Sequence, residues 1–157
     1  MRRIVPAAFL LVGFVAAALA ARWTETDPPI DIAHIETGEI NHWGEAVGYH
    51  DRPGGHDAPG ARIIAVVEPP DANGVYRALV ALRDAQTGQW VEKREPSTFF
   101  PDAMPRDAVV AAVLDAFHHG RIRGDGRFIG PSGRGFDIEG WYEHGRIAAA
   151  YPLRRPP

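Results

Sequence analysis

The sequence contains no cysteine. That excludes disulfide frameworks, thiolate zinc sites and cysteine nucleophiles. Lysine is almost absent: sixteen of the 17 basic residues are arginine, and Lys93 stands alone. A surplus of positive charge is also missing. Against 20 acidic residues the formal net charge is -3, which argues against broad, sequence-blind binding to polyanions but leaves room for a local basic pocket. No repeat, heptad or low-complexity tract interrupts the chain. What remains, 157 residues at 45% hydrophobic content, suffices for one modest folded domain.

The first 21 residues differ from the rest. Arg2 and Arg3 precede an apolar run, and Ala18-Leu19-Ala20 offers a small-x-small cleavage pattern. Residues 1–21 therefore read as a secretory signal peptide, with an uncleaved anchor as the alternative. A secreted or periplasmic location is expected, with no stable membrane span after cleavage. Loss of Arg2 and Arg3 would take the net charge from -3 to -5. Residues 22–33 are polar with two prolines and read as a short linker. Residues 154–157 read as a tail, and a stand-alone module without an upstream toxin-delivery region is expected.

Periodicity predicts strands over 62–67, 75–83 and 89–93. In the second, Tyr76, Ala78, Val80 and Leu82 are alternately apolar. A helix is predicted over 105–119, with Pro105 in the first turn, Gly120 as the stop, and Val109, Val110, Val113, Leu114 and Phe117 on one face. A closing hairpin turns at Glu143-His144-Gly145. Strands around one helix predict an α+β fold with antiparallel sheet.

Seven histidines invite a site. His34, His42, His50 and His56 lie in one glycine-rich stretch whose turns can gather side chains. Their spacings, without an H-x-x-x-H helix pair, give little support to zinc. A histidine pair serving as general acid and base is the sharper reading, since one ring can be neutral while the other is protonated. His42 and His144 flank turns, and His118-His119 close a helix where a cation meets the dipole. Lys93 is either chance or a place that needs a compact ammonium. Ser97 follows four residues later.

These pieces resemble a known family. The string AHIETGEINHWGEAVGYHDRPGG, then WVEKREPSTFFP, then GFDIEGWYEHGRIAAAYP is similar to the bacterial branch of the EndoU endoribonucleases, over residues 33–153. An H-[IV]-x-x-G-[DE] motif begins at His34. A second histidine, His50, lies sixteen residues on. Lys93 and Ser97 keep the family's spacing, a helix follows, and the closing hairpin carries the T-x-Y-P position as Ala149-Ala150-Tyr151-Pro152.

The resemblance implies an EndoU-like domain over 34–153, of the barnase–EndoU–RelE type. It implies an enzyme that cleaves single-stranded RNA, with preference for uridylate. The 2′-hydroxyl would attack the adjacent phosphorus and leave a 2′,3′-cyclic phosphate, so DNA would not be cut. His34, His50 and Lys93 would be catalytic, with His50 as base and His34 as acid. Ser97 and Tyr151 would contact uracil and ribose. His56 is the alternative should the alignment shift. The family threonine is Ala149 here, which leaves altered base preference, reduced activity, or replacement by Ser97, Thr98 or Ser132. Some members need Mn²⁺ and others none, and this sequence shows no metal constellation. The expected partners are single-stranded RNA, a tRNA loop among the candidates, and an immunity protein if the enzyme is a toxin. The alternative is an impaired EndoU-like module that binds RNA or protein in the cell envelope; a histidine-rich metal-binding protein is the third reading.

Overall fold

The computed structural model describes residues 22–155; the expected signal peptide lies outside them. Helix α1 (Ile32–Glu36) is followed by the short strands β1 (Glu39–Ile40) and β2 (Ala46–Val47) and a 3-10 turn at Pro53–Gly55. Next come β3 (Ala61–Glu68), β4 (Tyr76–Arg83), β5 (Trp90–Glu92) and β6 (Ser97–Phe99). Helix α2 (Arg106–His119) leads into β7 (Arg121–Ile122), β8 (Arg127–Pro131), β9 (Asp137–Glu143) and β10 (Arg146–Leu153). Every strand pairing is antiparallel. The fold is α+β with one main helix, as the sequence suggested.

Two sheets carry the site. In the first, β4 is central, between β3 on one side and β5 and β6 on the other. Its alternation holds: Tyr76, Ala78, Val80 and Leu82 are buried with Tyr49 and Phe99. The β3 edge is more exposed than its apolar run suggests, with Ile64, Val66 and Val67 facing outward. The second sheet has the order β10-β9-β8-β7. Its inner face, Phe128, Ile138, Ile147 and Ala150, packs under α2. The β9–β10 turn places His144 and Gly145 at positive φ, the geometry of a tight two-residue hairpin.

Helix α2 forms over the expected residues, but its buried face is rotated. Val109, Ala112, Val113 and Ala116 are fully buried, while Val110, Leu114 and Phe117 are partly so. The cause is close approach. A side chain on Gly130 of β8 would collide with the carbonyl oxygen of Ala116, so the alanine stripe, not the larger residues, faces the sheet centre.

Residues 22–33 correct an expectation, for they are not a linker. Ile30 and Ile32 belong to the core, and Ile30 bridges to Ile147 of β10. The Asp31 carboxylate caps α1 by accepting from the His34 amide at 3.1 Å. Arg22 ties the segment down, donating to Asp31 and to both Glu39 oxygens. A sequence rich in proline and polar residues hid two buried isoleucines and a cap.

Candidate active site

The site lies where α1, the loop after β2, the β5–β6 connection and β10 converge. His34 sits on α1. Its backbone oxygen accepts from the Tyr49 amide at 2.9 Å, and the Ile35 oxygen accepts from the His50 amide at 2.6 Å. The chain reaches this position through two left-handed residues, Gly48 (φ +76) and Tyr49 (φ 63). Gly48 cannot carry a side chain, because a Cβ there would collide with the His34 carbonyl oxygen. The turn thus sets His50 beside His34, with ring centroids 6.4 Å apart.

Each histidine is held differently. His50 is buried, and its Nδ1 lies 2.8 Å from the Thr98 carbonyl oxygen. That carbonyl requires an N–H, so a neutral ring carries its lone pair on Nε2. Burial and the nearby Lys93 charge hold the His50 pKa well below the ordinary histidine value. His34 is also lowered by burial, but the Glu39 carboxylate, 3.4 Å from its Nδ1, acts in the opposite direction. One ring is therefore biased to neutrality, and the other has an acidic neighbour that favours its cation.

Lys93 is half-buried at the wall of the same recess. Its Nζ donates to the Gly48 oxygen at 2.9 Å and to Ser97 Oγ at 2.8 Å, and an ammonium has a third donor for a ligand. Burial lowers its pKa to about 8, so it remains mostly charged at neutral pH. Ser97 itself is fully buried, and its hydroxyl also lies 3.2 Å from the Gly48 oxygen. The Ser97 hydroxyl is held against Lys93, and its neighbours Pro96 and Thr98 line the recess.

Tyr151 stacks on His50 at 5.1 Å, and Trp141 lies 6.0 Å beyond it. Burial, with Glu139 across the strand pair, raises the Tyr151 pKa to about 12, so it stays a neutral hydroxyl. His50, Lys93, Thr98 and Tyr151, with Arg77, line a recess of about 410 Å³. A second hollow of about 430 Å³ adjoins His34 and includes Glu39, Trp141 and Ala149. The histidine pair separates two hollows of the size that small ligands fill.

Several residues fall elsewhere. His56 is exposed at the end of the 3-10 turn; the structure places His50, not His56, beside Lys93. Ser132 bonds to the Phe136 oxygen in the loop after β8 and does not replace the missing threonine hydroxyl. Ala149 lines the His34 hollow with a methyl group. His42 and His144 are exposed at turns, and His119 bonds back to the Asp115 oxygen at the end of α2.

Glu39, Arg77 and the carbonyls of Gly48 and Thr98 also contact or line the site, and sequence reasoning misses them. Glu39 is the last residue of the H-[IV]-x-x-G-[DE] pattern, and that is its one signal. The donor set does not fit a resident divalent ion. Among the described residues no three His, Asp or Glu side chains form a metal-ligating group, and Glu39 is already engaged by Arg22.

The model of a family described as "Bacterial EndoU nuclease" matches residues 30–154. A curated protein of Bacillus cereus named "Toxin" is 30% identical over 131 residues, covering 82% of this chain and 23% of its own length. The chain thus spans less than a quarter of that relative. No solved structure matches the chain significantly.

Proposed function

The chain belongs to the bacterial EndoU nuclease family, and on that premise we propose that it cuts single-stranded RNA, preferentially after uridylates, by transesterification. One observation carries the reading: two histidines held in different ways, with ring centroids 6.4 Å apart, stand between two hollows, and His50 shares its hollow with the half-buried Lys93 and the stacked Tyr151. His50 Nε2 takes the proton of the 2′-hydroxyl. The freed oxygen bonds to the adjacent phosphorus, and the bond to the 5′-oxygen of the next nucleotide breaks. His34 gives that oxygen a proton. The products are a 2′,3′-cyclic phosphate and a 5′-hydroxyl end. Lys93 balances the extra negative charge on the phosphorane, where a preorganised cation acts most strongly. The Thr98 carbonyl on His50 and the Glu39 carboxylate on His34 support this assignment of base and acid. Tyr151 would contact the ribose or uracil.

The expected signal segment supports export, and the name of the Bacillus cereus relative supports a toxin role. An immunity protein would then protect the producer. Ala149 favours a second reading, an impaired module that binds RNA without cutting it. One assay decides between them: incubation of the protein with an oligoribonucleotide containing one uridine, at pH 5–8, with and without Mn²⁺. A cyclic phosphate on the uridine is expected by mass spectrometry, and no cut where that residue is 2′-deoxyuridine. His34→Ala, His50→Ala and Lys93→Ala should each lower the rate ~10²–10⁴-fold. RNA that binds and stays intact would overturn the enzymatic reading in favour of the binding module.

A further inference from the structure

The sheet β10-β9-β8-β7 has one face under α2, and its other face leads away from the site. Residues paired directly across antiparallel strands project to the same side. Tyr151 pairs with Glu139, Glu139 with Ile129, and Ile129 with Arg121. The neighbouring row runs from Ala149 to Trp141 to Arg127, and the Arg123 amide donates to the Arg127 oxygen at 2.8 Å. Both rows start at the histidine hollows and end at the β7 edge, three strand spacings or roughly 14 Å away. At that end Arg121, Arg123 and Arg127, with Ile122 and Ile129, line a recess of about 430 Å³.

The charge along these two rows opposes that of the chain. The whole sequence is acidic, at -3, yet the two rows carry three arginines against one glutamate. Glu139 is neutralised by Arg127. Arg121 and Arg123 are exposed, and neither makes an ion pair among the described residues. Exposed, unengaged guanidinium groups continuous with a site for a phosphodiester suit further phosphates of the same strand.

We propose that this face is a track for the single-stranded RNA flanking the cleavage point, in which Arg121 and Arg123 hold backbone phosphates remote from the scissile one. The proposal rests on the RNA reading of the site. Contacts of this kind give affinity and register without base preference, and they make affinity depend on salt and on strand length.

The test uses a non-cleavable 2′-O-methyl oligouridylate of about 12 nucleotides and the corresponding dinucleotide, with binding followed by fluorescence anisotropy across salt. For Arg121→Ala/Arg123→Ala, affinity for the long strand should fall on the order of tenfold at low salt. The slope of log affinity against log salt should shrink by roughly 1.4, for two single-strand phosphate contacts. Dinucleotide binding should not change, and Arg121→Lys/Arg123→Lys should restore most of the slope. Equal losses at both lengths, or none at either, would overturn the track. Cleavage of uridine-containing RNA by the unaltered protein is measured alongside. Absence of cleavage with the length and salt effects intact overturns the enzymatic reading alone; cleavage without those effects overturns the track alone.

Discussion

His34 meets two opposing influences, and its usefulness as an acid depends on their balance. Burial favours the neutral ring, while Glu39 on Nδ1 favours the cation. His50 has no carboxylate on its ring and is neutral over a wide range. The productive form needs His50 neutral and His34 protonated. Because both pKa values lie below 6.5, the optimum of kcat/KM should fall on the acid side of neutrality. Its alkaline limb should follow His34, and Lys93, at about 8, should steepen the decline at higher pH. Replacing Glu39→Gln removes an interaction that raises the His34 pKa, so the alkaline limb should move to lower pH while the acid limb, set by His50, stays in place. A pH–rate profile of the two proteins on a uridine-containing dinucleotide checks this; an unmoved alkaline limb would remove Glu39 from the mechanism. Ser97 shows what side-chain type alone leaves out at this scale. Its spacing from Lys93 is legible in the sequence, but its burial against the Gly48 oxygen, which decides what its hydroxyl can touch, is a tertiary fact.

At the scale of elements, the site depends on a close approach between α1 and the loop after β2. Gly48 makes that approach possible, and its oxygen then receives Lys93. Gly48→Ala should lower stability by ~1–3 kcal/mol and lower cleavage by more than about 100-fold, since small misplacements of catalytic groups are costly. Gly44 is the control. It has a comparable φ of +77, and a methyl group placed there would meet open space, so Gly44→Ala carries the backbone strain without disturbing His34. Thermal melts and cleavage rates of both variants separate strain from displacement. Elements with strong alternation or a long period, β4, α2 and the β9–β10 hairpin, are readable from sequence because their own residues carry the pattern. Helix α1 has five residues, too few for a period to show, and its cap is hidden in a stretch that resembles a linker. The rotation of α2 depends on Gly130, a residue of another strand. His34, His50 and Lys93 are legible through motif order, whereas the carbonyls that orient them belong to any residue type and leave no mark in a sequence.

For the whole molecule, the site lies between two cores, and one buried charge sets how that arrangement responds to pH. Asp51, next to His50, is fully buried, and neither of its carboxylate oxygens has a hydrogen-bond partner among the described residues. Burial first, then Glu36, raises its pKa from 3.8 to about 7. The sign follows from linkage. Between those two values the folded protein holds a proton that the unfolded chain has released, so this group lowers stability progressively as pH rises. Above about 7 the loss is complete, and below about 4 it vanishes. The two histidines act in the opposite direction: their depressed pKa values lower stability as pH falls below 6.5. A simple pH–stability curve therefore mixes the two effects, and a substitution separates them. Asp51→Asn removes the charge and leaves the histidines in place. Its urea-derived stability should match that of the unaltered protein near pH 4, diverge upward between pH 4 and 7, and remain higher by ~2–4 kcal/mol at pH 8. A constant offset across the whole range would mean that Asp51 is not the group that titrates.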